Sequence, residues 1–185
     1  MAFTRDREKL KTLVHYTIWE CKNPAILGAI KLNKVPWMSD LCAYVHWGRP
    51  ITGEHYRKGQ FGPIAMSMVG IVEELKREGK IAVREGAYGS PKVDYFALTR
   101  PDISAFTPDE ISLIRDCIDY VCRKHTSLGI SDRTHDKVWE LAELGEEIPY
   151  EAMLASRLGE VTEDDVNWAR EAISQARAAE AARHD

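Results

Sequence analysis

KLNKVPWMSDLCAYVHWGRPITGEHYRKGQFGP, residues 31–63, is the stretch on which the reading of the fold turns. Leu32, Val35, Met38, Leu41, Cys42 and Val45 recur at helical spacing and predict a helix from about Lys31 to Trp47 with those residues inward. Pro36 falls near the start of that helix, where its missing amide costs least, and Gly48-Arg49-Pro50 stops it. Beyond the stop, Gly53 to Lys58 reads as a short polar helix. Phe61-Gly62-Pro63 then reads as the entry to another, with Pro63 as its first helical residue.

Upstream, Leu10, Leu13, Val14, Thr17, Ile18 and Cys21 form one apolar stripe, a first helix that ends before Asn23-Pro24. Downstream, the helix entered at Pro63 is expected to run to about Glu78 and to bury Ala65, Met68, Val69, Val72 and Leu75, with Gly79 as its C-cap. Ile81 to Arg84 and Lys92 to Leu98 read as a β-hairpin. Thr107-Pro108-Asp109-Glu110 is a helix start with a capping box, leading a stripe of Ile111, Ile114, Ile118, Val121, Cys122 and His125. Ser131 is expected to cap a further helix through Leu144, closed by Gly145. A short segment follows from Glu151 to Arg157. Thr162 and Asp165 are expected to cap the last helix, whose narrow stripe is Val166, Ala169, Ile173 and Ala176 and whose end frays beyond Gln175. The expected fold class is mainly α (α+β): a compact helical domain with one β-hairpin and a winged-helix-like order in its first half.

The chain has 185 residues, enough to bury a core as one domain, and its 44% hydrophobic and 29% charged content is ordinary for a globular protein. Its apolar runs are too short to span a bilayer. The polar Met1 to Lys11 segment does not read as a secretory signal, and the expected location is cytoplasmic. Cys21, Cys42, Cys117 and Cys122 lack metal-ligand spacing. Cys117 and Cys122 would lie about 140° apart round a helix, so buried free thiols in a reducing compartment are expected. The net charge of −4 divides into +6 over residues 1–100 and −10 over residues 101–185. That asymmetry would steer a charged partner, or simply line solvated helix faces.

Chemistry is sparse. In a winged helix, the segment from Pro63 would enter the DNA major groove, presenting Met66, Ser67, Gly70, Glu73, Glu74 and Arg77. Two carboxylates there oppose phosphate, and the hairpin tip offers only Arg84 and Lys92, so DNA is disfavoured as a partner. Five of the six histidines, His15, His46, His55, His125 and His135, are candidates for chemistry, but they form no metal or catalytic motif. His15 and His125 read as core residues, and Glu54 with His55 as an exposed turn. No enzyme and no cofactor is expected. Trp37, Tyr44, Trp47, Tyr56 and Phe61 crowd one region, a pattern of core packing or of binding hot spots.

Taken together, Lys31, Leu32 and Lys34, then Asp40, Tyr44, Gly48, Ile51, Thr52 and Tyr56, then Gly62-Pro63 resemble the Panacea, or SocA-like, antitoxin domain. Ser131, His135, Trp139 and Gly145-Glu146 with Ile148-Pro149-Tyr150 extend the resemblance toward the C-terminal half. It spans residues 25–157, leaving an N-terminal helix (1–24) and a C-terminal helix (158–185) outside it. Val35-Pro36-Trp37 departs from the family's Leu-Leu-Tyr run. The resemblance implies an antitoxin that neutralises a cognate toxin, encoded by the adjacent gene, by direct contact; some members have been proposed to act as adaptors for a cytosolic protease. A winged-helix transcription regulator is the alternative. The matching residues are implied to be mostly structural, with partner contact as their second role. Asp40 and Tyr44, one helical turn apart, are placed to touch. The two end helices are the expected partner-specific elements.

Overall fold

The structure is a computed structural model and describes residues 3–86, 92–132, 137–155 and 163–181. Among these, eight α-helices and two antiparallel hairpins follow the order α1 (Arg7–Cys21), α2 (Pro24–Trp47), β1 (Tyr56–Gly59), β2 (Gly62–Ala65), α3 (Met68–Arg77), β3 (Ile81–Glu85), β4 (Val93–Ala97), α4 (Pro108–Ile118), α5 (Ser127–Asp132), α6 (Lys137–Leu141), α7 (Tyr150–Ala155) and α8 (Glu163–Ala181). The fold is mainly α with some β, as the sequence predicts. No helix among the described residues is long and apolar enough to cross a membrane.

Helix α1 carries the expected stripe inward, and Leu10, Leu13 and Val14 are fully buried. Asp6 caps it by accepting from the Lys9 amide at 2.9 Å. Helix α2 begins seven residues earlier than the periodicity suggests, because Asn23 caps it and Pro24 supplies its first residue. Gly28 then breaks the backbone with φ 66°, and this interruption is what hid the first turns. Pro36 therefore lies inside the helix rather than near its start. Between Lys31 and Leu41 the helix is buried on almost every side, touching α1, α4, α5, α7, β2 and β4. It emerges only at its last turn, so Val45 is exposed, not inward, and Gly48 caps the end in the left-handed region.

A second hairpin replaces the short helix expected over Gly53 to Lys58. Tyr56 pairs with Ala65 and Gly59 with Gly62 around the tip Gln60-Phe61, and Pro63 lies in strand β2 opposite Lys58 instead of opening a helix. The physical reason is remote. Segment 145–148 pairs its backbone with β1: the Lys58 amide donates to the Glu146 carbonyl at 2.7 Å, and the Ile148 amide to the Tyr56 carbonyl at 2.8 Å. The helix after the hairpin starts late, at Met68. Its buried residues are Met68, Ile71 and Leu75, while Val69 is 74% exposed, contrary to the predicted stripe.

The second hairpin in chain order, β3–β4, pairs Ile81 with Ala97 through Glu85 with Val93, as expected; its tip at 87–91 is outside the described residues. Helix α4 shows the full capping box: Thr107 Oγ1 accepts from the Glu110 amide at 3.2 Å and the Glu110 carboxylate from the Thr107 amide at 2.9 Å. A π-helical turn, Asp119–Arg123, continues it. Ser131 is buried inside α5, whose first turn is closed by Thr126 accepting from the Gly129 amide at 3.0 Å; the residues that it is expected to cap, 133–136, lie outside the described residues, and α6 ends at Leu141 rather than Leu144. Helix α8 continues to Ala181, past the expected fraying point. Arg177 there donates to Glu146, its Nη2–Oε2 distance being 2.8 Å. The cysteines are free thiols, and Cys117 and Cys122 belong to different contacts: the Cys117 thiol is hydrogen-bonded with that of Cys42, and the Cys122 thiol with that of Cys21.

Candidate functional site

Asp40 is wholly buried at the centre of α2. Its Oδ1 accepts from the Thr52 amide at 2.7 Å, and its Oδ2 accepts from the Thr52 hydroxyl and from the Tyr56 hydroxyl at 2.8 Å. The Tyr150 hydroxyl lies 3.2 Å from the same oxygen but donates over the shorter 2.6 Å to the Glu54 carbonyl. Burial pushes the Asp40 carboxyl up, opposed by the hydrogen bonds from Thr52, Tyr56 and Tyr150. One carboxylate thus ties the α2 helix, the loop after it, strand β1 and the start of α7.

The two lysines of the quoted stretch are buried as well. Lys31 Nζ donates to the Ile26 carbonyl at 2.8 Å and to the Cys122 carbonyl at 3.0 Å, tying α2 to the π-turn. Lys34 Nζ donates to the Pro63 carbonyl at 3.1 Å, tying α2 to strand β2; burial lowers its pKa to about 7. Leu32 and Ile51 fill the core, and Gly62, at φ 97°, turns the first hairpin. Lys58 lies 4.0 Å from the Trp139 ring centroid. Ile148 is buried, Pro149 half-buried, and Tyr150 joins the Asp40 cluster. His135 lies outside the described residues. Tyr44 packs on Phe3 and Tyr150, with ring centroids at 5.6 and 5.7 Å, while Asp40 turns to Thr52, Tyr56 and Tyr150.

Above Asp40 the loop Thr52-Gly53-Glu54 is crossed by the N-terminal segment. The Asp6 amide donates to the Thr52 carbonyl at 2.8 Å. Gly53 has φ 63°, and a Cβ there would come within 2.7 Å of the Thr4 carbonyl oxygen, so the crossing requires glycine. Glu54 is fully buried, not on an exposed turn. Its Oε1 accepts from the His55 amide at 2.9 Å and stands 3.5 Å from Arg5 Nη1, while its buried Oε2 has no hydrogen-bond partner. The His55 ring is bonded to Glu147.

These residues floor a cleft of about 400 Å³. Glu54, His55, Tyr56 and Tyr150 lie beneath it. Phe3 forms one wall, and Trp168, Glu171, Ala172, Gln175 and Ala176 form the other. Those α8 positions recur at i, i+3, i+4, i+7 and i+8, a single helix face; Ala169 and Ile173, on the adjoining face, are buried. Glu54, His55, Glu147, Phe3 and Trp168 were missed as site residues from sequence. The one available signal was the Glu54-His55 pair between Thr52 and Tyr56, whose partners Glu147 and Tyr150 stand 92 and 96 positions away.

Two of the residues that a DNA-binding reading would use have partners within the chain, while Met66, Gly70, Glu73 and Arg77 of that face are exposed. Glu74 of α3 takes both Arg7 guanidinium nitrogens at 2.8 and 2.6 Å, and Arg84 is bonded to Asp94 at 2.7 Å and lies over the Phe96 ring. Among the described residues no group of His, Cys, Asp and Glu is arranged to hold a metal ion.

The described residues thus form a helical domain knitted by buried lysines and an aspartate, with a cleft between its N-terminal segment and α8. The family model for the antitoxin SocA-like, Panacea domain matches residues 32–140, more than half of the chain, and the chain belongs to that family. Comparison with curated proteins and with solved structures finds no match.

Proposed function

We propose that this protein is a cytoplasmic antitoxin that neutralises a cognate toxin, the product of the adjacent gene, by direct contact at the cleft between its N-terminal segment and α8. It acts by binding, not catalysis. Family membership over residues 32–140 supports the antitoxin role. The cleft supports the place of contact. Its floor is made largely by residues of the quoted stretch, while Phe3 and the α8 face lie outside the matched residues. The rest of the N-terminal helix is core, with Leu10, Leu13 and Val14 buried, which leaves Phe3 to Asp6 and α8 as the end segments at the cleft.

The test is co-expression of the neighbouring gene with this chain. The neighbour alone should arrest growth, and the full chain should relieve the arrest. A chain lacking residues 161–185 should relieve it less. Because that deletion also uncovers α7, against which α8 packs, Gln175→Arg at an exposed position of the cleft wall serves as the second variant, filling the cleft while the helix stays in place. It should retain the wild-type melting temperature and lose binding in a pull-down. A harmless neighbour, or full neutralisation by both variants, would sink the proposal. Toxin abundance in the same cells reports whether a protease takes part.

A further inference from the structure

The cleft is charged one way. Among the described residues, four carboxylates line it, those of Glu54, Glu147, Glu151 and Glu171, and the one basic lining residue, His55, is bonded to Glu147. Arg5 Nη1 stands 3.5 Å from Glu54 Oε1. Glu54 Oε2 is buried without a hydrogen-bond partner, in a residue that is wholly removed from solvent and lines the cleft. A buried carboxylate oxygen left in that state is costly, and a donor brought in by a ligand would relieve the cost. Aromatic rings of Phe3, Tyr150 and Trp168 stand around the carboxylates. Carboxylate beneath and aromatic faces at the sides is the environment that holds a guanidinium or an ammonium group. The volume is at the small end of the range of about 300–1,000 Å³ for ligand sites, suited to one long side chain with its flanking backbone.

We infer that this cleft receives the cationic head of an arginine or lysine side chain presented by the protein partner, with Glu54 and Glu171 as its carboxylate acceptors and Trp168 as an aromatic wall. The inference rests on the reading of this cleft as the toxin-binding site, and it names what the toxin presents there.

The experiment titrates the full chain, by calorimetry, with a capped pentapeptide bearing a central arginine, with its norleucine analogue, and with spermidine. The arginine peptide should bind at least about tenfold more tightly than the norleucine analogue, and raising the salt should weaken it. Glu54→Gln should cost about tenfold in affinity. Glu171→Lys, a reversal on a helix surface that leaves the core untouched, should cost at least as much and keeps the test decisive if Glu54→Gln fails to fold. Equal binding of the two peptides, or no change with Glu171→Lys in a folded protein, overturns the inference. Spermidine binding as tightly as the arginine peptide overturns it too, by making the cleft a site for free polyamines. The two readings separate cleanly. A neighbouring toxin that binds Glu171→Lys as well as wild type leaves the antitoxin role standing and removes this inference. An arginine peptide that binds where the neighbour does not removes the toxin and keeps the site.

Discussion

Lys34 and Asp40 sit on one helix, both buried, and neither answers the other. Lys34 serves strand β2 through the Pro63 carbonyl, and Asp40 serves the loop at Thr52 and the hydroxyl of Tyr56. Asp40→Ala would strand the Thr52 amide and two hydroxyls in the interior, so urea unfolding should show a loss of about 3 kcal/mol. An Asn at this position, which can still accept one bond, should lose less. Lys34 makes a pH prediction. Its folded pKa, about 7, lies below the ordinary lysine value of 10.5, so between those values the unfolded chain holds a proton that the folded chain does not. Stability contributed by this group therefore rises with pH across that window, by at most about 1.4 kcal/mol per unit. Lys34→Met removes the slope. Its advantage over wild type should be full below about pH 7 and shrink toward pH 10, on top of a pH-independent loss of the Pro63 hydrogen bond. A constant difference across that range would show that the ammonium stays charged in the fold. From sequence, Lys31, Lys34 and Asp40 stand out as family-like residues, but not as buried. Nothing local marks a lysine as interior when its acceptor is a carbonyl 29 or 91 positions away.

Elements that close on themselves were readable, and elements closed by distant chain were not. The capping box of α4 lies within four residues and is present as read; Thr107→Ala should cost about 1 kcal/mol in chemical unfolding. The α1 stripe follows likewise from periodicity. The first hairpin is the opposite case. Gly53 to Lys58 has no strong strand signal, and its extended state is completed by segment 145–148, some 90 residues on. Helix α8 was misjudged for a related reason. Its terminal turns have weak propensity for burial, but Arg177 reaches Glu146 and comes within 3.6 Å of Glu143. Since Arg177 is half exposed, Arg177→Ala should move the melting temperature little. Amide exchange should quicken in the last turns of α8 alone, as read by hydrogen–deuterium mass spectrometry.

At the scale of the molecule, the opposed charges of the two halves meet inside the fold. Lys9 donates to both Glu110 oxygens at 2.9 and 3.0 Å, Arg49 lies 3.6 Å from the same carboxylate, and His55 is bonded to Glu147. Part of the asymmetry visible in the sequence is therefore internal attachment, not a field for a partner. Carboxylates from both halves line the cleft, where association with a basic partner should weaken several-fold between low and physiological salt, a change that stopped-flow kinetics would place mainly in the association rate. The family was legible in the spacing of short motifs. The cleft was not, because its walls come from residues 3 and 168–176, which share no motif and meet only in three dimensions.

The crossing at Gly53 has a consequence for descent. It brings the beginning of the chain to the same rim as its last helix, over a floor fastened from below by Asp40. Heredity can then alter either end by extension, trimming or recombination without asking the interior to find a new solution. A lineage built this way would keep its foundation and change its appetite, and a hybrid carrying another member's ends on this interior should inherit that member's choice of target.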